Sequence, residues 1–441
     1  MNQEYQTARP LSPEQNSLVK NMLDEVGASQ YKTVSFRLED TLMLLPFPEY
    51  YDLFLLMEDD FKMFNTASKR TFTFLRCEAE DAAEKAGKST LDTIYNILMK
   101  KAGITEKARD TLKARECELV TFFASPRSFG KQLFDRARHR KKRIAIVTDS
   151  IYPRNVIANI IAHCGYDSCN ELMLTRGSGK SAGEIIDLIM EKTHTSAGKL
   201  LHIGSSIESD VEAAILKGCK SLLITPVVPL MVKSGRLRGW VQSKKLFDYD
   251  TSQYLALHCA FGIYAAYAFD VPQNKQPHSD FCDDEYMLGF ITLGALSLTK
   301  FDDQGSDLRR TIKKALEENP KCAAGAEDFR KIFRADFADF LDKFGYKGCE
   351  MPFEFLLLHS AVGDRMLLDR QLQPFELQAW TDVTTDPDTA PVYGRQVSKS
   401  AAQKLADKMF PPGTKVRTIA DNMLDAMKRK TFGGKKNSDQ N

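Results

Sequence analysis

The chain has 441 residues, 61 Lys+Arg against 59 Asp+Glu, and 43% hydrophobic residues. That length suggests two or three domains of ~100–200 residues, and the composition excludes global disorder. The formal net charge of +2 argues against a whole-surface electrostatic partner such as nucleic acid or an anionic membrane.

The nine cysteines are odd in number and include no CxxC pair, a pattern of reduced thiols rather than of disulfides or a zinc site. Met1–Ser17 is polar and lacks the apolar core of a signal peptide. The longest nearly apolar stretch, Leu255–Phe269, is shorter than the about 20 residues a membrane span needs and predicts a buried helix. These features together read as a cytoplasmic chain without a membrane span.

The first periodic segment, Ser12–Val26, predicts a helix with Ser12 as N-cap and Pro13 at the first helical position. A short strand is expected at Thr33–Phe36. From Glu49 to about Arg140 there is no strand signal, only helical patterns such as Tyr50-Leu53-Phe54-Met57 and Leu91-Ile94-Leu98. Then the texture changes. Arg143–Thr148 is a continuous β-branched run of the kind a strand buried on both faces requires. A helix at Val156–His163, a strand at Leu172–Thr175, a helix at Ala182–Lys192 and a strand at Lys199–Gly204 follow. A helix at Glu208–Lys217 and a strand at Lys220–Thr225 complete the series. This alternation predicts right-handed βαβ units, hence an α/β domain with a parallel, Rossmann-like sheet between helices. Beyond Trp240 the periodicity is mainly helical, at Gln253–Phe269, Tyr286–Leu298, Leu308–Glu318 and Phe329–Phe344. The expected division is an N-terminal helix in 1–30, an α/β domain over 31–241, a helical C-terminal domain over 242–430 and a flexible tail over 431–441.

Ligands of open parallel sheets bind beyond the carboxyl ends of the strands. Those ends read Ser35–Thr41, Ile146–Ser150, Leu174–Ser181 and Ile203–Asp210, each with hydroxyls or charges after an apolar run. Gly179-Lys180-Ser181 suggests a P-loop, but Leu174 stands where that motif needs a glycine, and the next strand offers no acid for magnesium. The basic run Arg136–Arg143 closes a helix, where cations meet the negative end of the helix dipole. His278, Asp280, Cys282, Asp283 and Asp284 lack a metal-ligand spacing and read as an exposed acidic loop. Cys164 and Cys169 read as buried thiols, and Lys428–Lys436 as a solvated terminus.

The order Phe36–Thr41, Thr148, Lys180, Gly204–Asp210 resembles the haloacid dehalogenase-like (HAD) superfamily. That family uses a nucleophilic Asp after the first strand, a Ser/Thr after the second, a Lys opening a later helix and an acidic motif after the next strand. The resemblance implies a helical cap over about 45–125. It extends to a subgroup with a C-terminal helical extension associated with polysaccharide biosynthesis, through Ser35-Phe36-Arg37-Leu38-Glu39-Asp40-Thr41-Leu42 with Pro46-Phe47, Arg76-Cys77-Glu78-Ala79-Glu80 and Gly325–Phe329.

Two positions depart from the family pattern. Arg37 stands at the nucleophile and Ser205 at the first acid of the fourth motif. Asp40 and Asp210 match the remaining acids, and Thr148 and Lys180 match the phosphate-holding positions. A guanidinium cannot replace a carboxylate nucleophile, and ~4 Å from Mg²⁺ it would be repelled by about 8 kcal/mol at an effective dielectric of ~20. Glu39 holds the family's general acid/base position.

Three readings follow. In the first, the chain is a catalytically degenerate HAD-like protein, a pseudoenzyme that binds a phosphorylated small molecule or sugar phosphate, or acts as a scaffold with a protein partner at its C-terminal helical domain. Its degenerate phosphate site comprises Arg37, Glu39, Asp40, Thr148, Asp149, Lys180, Ser205 and Asp210, with no metal and no cofactor. In the second, Arg37 merely pairs with Asp40, Asp149 or Asp210. In the third, the chain is a working phosphatase with rearranged ligands, and only there is magnesium required.

Overall fold

Five apolar runs form one parallel sheet: β1 (Thr33–Arg37), β4 (Arg143–Thr148), β5 (Glu171–Leu174), β6 (Leu200–Gly204) and β7 (Lys220–Leu223), in the order β5-β4-β1-β6-β7. The computed structural model describes residues 12–47, 51–65, 70–87, 89–166, 168–229, 255–270, 285–291, 314 and 317–332. β1 is central, with Thr33 opposite Arg143 on one side and Leu200 on the other. The strand order therefore reverses about β1, which places a crevice beyond the carboxyl ends of β1, β4 and β6. The α/β class with a parallel sheet is as the sequence predicts, and each sheet strand lies within a residue or two of its expected bounds.

Local chemistry accounts for the helices. α1 (Pro13–Gly27) opens on a capping box in which Ser12 Oγ accepts the Gln15 N–H at 3.2 Å and Gln15 Oε1 accepts the Ser12 N–H at 3.1 Å. α8 (Arg154–His163) links β4 to β5, and α9 (Ala182–Thr193) links β5 to β6. Between β6 and β7 the structure departs from the expected single helix. Ile207–Glu212 is a π-helical turn, and only Ala213–Leu216 (α10) is α-helical.

A helical insertion separates β1 from β4. The chain leaves through β2 (Met43–Leu44) and returns through β3 (Ser125–Pro126), which pair antiparallel and form a neck. Sequence periodicity gives no strand here, because two-residue strands carry no alternation to read. Between them lie α2 (Asp52–Leu55), α3 (Glu58–Phe64), α4 (Phe72–Lys85), α5 (Leu91–Ala102) and α6 (Glu106–Phe123). Thr71, Thr90 and Thr105 cap the last three with their hydroxyls. This helical insertion lies where the resemblance implies a cap, and is called the cap below.

After the neck, α7 (Ser128–His139) runs back to β4. It crosses the loop after β1 so closely that a Cβ on Gly130 would lie 2.0 Å from the Thr41 carbonyl oxygen. Gly130→Ala is therefore expected to lower stability by about 2 kcal/mol through overpacking, and urea titration would check this; an unchanged midpoint would contradict the close approach. Basic residues of the run that ends α7 donate to backbone carbonyls near helix ends and in the loop before β1: Arg136 to Leu23 O at 3.2 Å, Lys142 to Tyr31 O at 2.5 Å and Arg143 to Thr193 O at 2.7 Å. Cys164 is buried, whereas Cys169 is only half-buried.

α11 (Leu255–Phe269), α12 (285–291) and α13 (Pro320–Ile332) belong to the C-terminal segment. α13 begins nine residues before the helix expected at Phe329, since Asn319 Oδ1 accepts the Lys321 and Cys322 N–H groups and starts it there. Phe290 stacks edge-on against Tyr264 at 4.9 Å and against Phe329 at 5.3 Å. Tyr267 and Tyr286 both donate to Asp328 Oδ2, at 3.2 and 2.8 Å. α11 presents Phe261, Tyr264, Ala265, Ala268 and Phe269 to the same apolar core as the cap and the sheet. No helix of the described residues is long and apolar enough to cross a membrane. The boundaries expected at 242 and 430, the acidic loop around His278–Asp284 and the C-terminal tail lie outside the described residues.

Candidate functional site

At the carboxyl end of β1 the Arg37 side chain turns into the crevice, 12% exposed. Its Nε donates to Asp210 Oδ1 at 2.8 Å, and one terminal nitrogen lies 3.3 Å from Asp149 Oδ1 in the loop after β4. Asp210 is 1% exposed, Asp149 55%. The inner pair is therefore shielded, while the outer one faces water and is worth little.

Asp210 is held by the π turn. From there its carboxylate folds back over the end of β6, where the Ser205 and Ser206 N–H groups donate to Oδ2 at 3.0 and 2.9 Å. Gly204 makes this possible, since a Cβ there would lie 2.3 Å from the Asp210 carboxyl carbon. His202 Nε2 lies 3.4 Å from Oδ1, and its Nδ1 is 2.8 Å from Ser35 Oγ, so a buried Ser35–His202–Asp210 relay runs between β1 and β6. A carboxylate offers about four lone-pair sites, and here they meet Arg37, His202 and two backbone N–H groups. Burial pushes the Asp210 carboxyl up, but the His202 hydrogen bond, the Arg37 charge and the Ser206 N–H outweigh it and bring it down to about 2.

Glu39 is the opposite case. Its Oε1 accepts the Thr148 hydroxyl, whereas its Oε2 is buried without a hydrogen-bond partner. Burial is the largest influence and raises the carboxyl to about 7; the Thr148 hydrogen bond opposes this, Asp149 adds to it, and Arg37 opposes it. The Ser205 hydroxyl donates to the Glu39 carbonyl at 3.3 Å, which joins the ends of β1 and β6.

Of the eight residues expected at the site, six form this cluster: Arg37, Glu39, Thr148, Asp149, Ser205 and Asp210. The other two stand apart. Asp40 adopts a left-handed backbone with φ of 53°, which Asp tolerates better than most residues. The residue is exposed as a whole, its carbonyl accepts from Arg127, and burial raises its carboxyl against the pull of the Arg127 charge. Lys180 is exposed and forms no ion pair with another described residue. The adjoining helix start is closed by its own capping box, with Glu184 Oε2 accepting the Ser181 N–H at 2.7 Å. That carboxylate takes up an N–H at the helix start that could otherwise meet an anion.

Sequence reasoning missed Ser35, His202 and Arg127. A signal for the first two existed. Each is a polar residue inside an otherwise apolar strand, and Ser35 and His202 are register partners. No such signal marks Arg127, whose partners are distant in sequence. Among the described residues there is no cluster of three or more His, Cys, Asp or Glu side chains suited to a metal ion.

No protein-family model matches the sequence, and no curated protein matches it. Solved structures give more distant likenesses. A predicted phosphoglycolate phosphatase from Haemophilus somnus is 16% identical, with a TM-score of 0.31 over 45% of this chain and 87% of that one. The HAD-hydrolase YfnB from Bacillus subtilis, bound to magnesium, is 19% identical, with a TM-score of 0.32 over 44% and 89%. A HAD-family enzyme from Bacteroides thetaiotaomicron, in complex with magnesium and inorganic phosphate, is 11% identical, with a TM-score of 0.32 over 44% and 95%. None of these is similar enough to bring an activity to this chain.

Proposed function

We propose that the chain is a HAD-like phosphohydrolase fold that has given up magnesium-dependent phosphoryl transfer and acts as a scaffold. The observation that carries this reading is the Arg37–Asp210 ion pair at 2.8 Å. It puts a fixed cation at the end of β1 and spends the acid on which a magnesium site would depend. Magnesium requires oxygen ligands in near-octahedral order, and the lone pairs of Asp210 are already met by four donors. No carboxylate stands at position 37 to form an aspartyl-phosphate intermediate.

The same pair weakens the phosphate-binding reading. A free guanidinium suits a phosphate, but here two carboxylates already neutralise it, and Lys180 adds no charge to the cluster. Pairing of Arg37 with Asp149 and Asp210 was one of the sequence-based alternatives; pairing with Asp40 was not adopted. The association with polysaccharide biosynthesis rests on the motif resemblance alone and belongs to the proposal in that form.

The test is thermal melting with millimolar Mg²⁺ and with inorganic phosphate, each alone. Neither is expected to shift the midpoint. A bound ligand at a hundredfold excess over its Kd would add about 2.7 kcal/mol, which melting resolves easily. Stabilisation by phosphate alone would return the site to phosphate binding, and Mg²⁺-dependent turnover of an aryl phosphate would reinstate the hydrolase. The double variant Arg37→Asp with Ser205→Asp turns a local charge of +1 into −2, frees Asp210 from its ion pair and is expected to gain Mg²⁺-dependent stabilisation. Arg37→Asp alone should gain far less, because residues sharing one ion are non-additive. A folded double variant indifferent to Mg²⁺ would count against a HAD-type crevice altogether.

A further inference from the structure

Arg127 sits where the chain returns from the cap to the sheet, and it is wholly buried. Its guanidinium joins three segments remote in sequence. Nε donates to Asp270 Oδ1 at 2.7 Å, one terminal nitrogen donates to the Asp40 carbonyl, and the other donates to Thr225 O at 2.9 Å. Its backbone N–H donates to Leu42 O at 2.7 Å. The second oxygen of Asp270 accepts the Phe129 N–H at 3.1 Å. Asp270 directly follows α11, so this helix end is pinned to the returning linker of the neck.

The outgoing linker is covered by the same helix. A Cβ on Gly262 would lie 2.3 Å from the carbonyl carbon of Pro46, so backbone meets backbone there. Next to it, Phe47 packs edge-on against Phe123 at 5.1 Å, which ties the two linkers together. At the far rim, Tyr152 from the loop after β4 donates to Glu116 of the cap at 3.1 Å. Arg176, from the loop after β5, donates to Ser89 at 3.0 Å and pairs with Glu84 at 2.5 Å. A domain inserted through two linkers turns only when those linkers change their backbone angles. Here one helix touches both.

We infer that α11 is a lock on the cap: the C-terminal segment fixes the cap over the strand ends through Arg127–Asp270 and the Gly262–Pro46 contact. This rests on packing alone and holds whether or not the crevice performs chemistry. It also assigns α11 a task within the α/β unit, on which the orientation of the cap depends.

Hydrogen exchange on the full chain tests it, comparing the wild type with Arg127→Met and Asp270→Asn. Breaking a buried pair frees the linkers first. Exchange over 38–47 and 123–129 is expected to rise at least tenfold, while 33–37 and 143–148 in the sheet change less than twofold. An equal rise in all four segments would mean general destabilisation and would overturn the lock. Asp270→Asn keeps the shape and one acceptor, so it decides the matter even if Arg127→Met does not fold. Unchanged exchange at the neck in Asp270→Asn would overturn the inference as well.

Discussion

Replacing Arg76 with methionine is expected to destabilise the protein by about 3–5 kcal/mol, the typical cost of leaving a buried charge without its partner. Arg76 and Glu116 are both fully buried, in α4 and α6 of the cap. The guanidinium grips the carboxylate with two parallel bonds of 2.9 Å each, and its remaining arm donates to Glu80 at 2.8 Å. Glu116 also accepts from Tyr95 at 2.7 Å and from Tyr152 at 3.1 Å. The Phe54 ring lies 4.6 Å from the guanidinium carbon and adds a cation–π contact. Methionine fills much of the volume but leaves a buried carboxylate facing only two hydroxyls. Urea unfolding would measure the loss. Pairing the change with Glu116→Gln should cost less than the sum of the two singles, because the second change removes the orphaned charge. Strict additivity would show that the ion pair is not the source of the effect.

Glu39→Gln is expected to act the other way, stabilising the protein at alkaline pH. The Glu39 carboxyl is raised from 4.5 to about 7, mainly by burial. Between those values the folded protein holds a proton that the unfolded chain has already released. Stability therefore falls as pH rises through this window and levels off above about 7, by on the order of 3 kcal/mol in all. Glutamine carries no charge to desolvate, still accepts from Thr148 and offers an amide where Oε2 lacks a partner. The variant should match the wild type near pH 5 and exceed it by about 1–3 kcal/mol at pH 8. Asp210 does not confuse the result: its carboxyl is depressed from 3.8 to about 2, so its contribution is lost only as pH falls through that lower range. Parallel stability–pH curves for variant and wild type, from urea midpoints at pH 5 to 8, would sink the prediction.

The sheet was legible because its strands announce themselves. Arg143–Thr148 is a β-branched run that no other buried element explains as well, and its bounds agree with the structure. The cluster at the strand ends was legible for a related reason: Arg37, Thr148 and Ser205 sit next to such runs, and the sheet brings strand ends together whatever residues they carry. What could not be read was pairing across long sequence separation. Arg127 and Asp270 are joined over 143 residues, and nothing local in either segment marks the other. Lys180 stands apart from the cluster for a different reason. Its spacing suits a phosphate-holding role, but Gly177 and Gly179 both adopt positive φ, and the loop they shape leaves the ammonium in solvent.

The π turn at Ile207–Glu212 makes the length of this segment part of the site. A π turn is an α-helix with one residue too many, and each α-helical residue advances the side chain by about 100° around the axis. Deleting one residue between Ser206 and Asp210 would restore a regular helix and swing the carboxylate away from Gly204 and its two N–H donors. The length of the turn and the acid it carries thus act as one unit. A change of length in this segment is therefore expected to undo the Asp210 cradle even where every residue that forms it is kept.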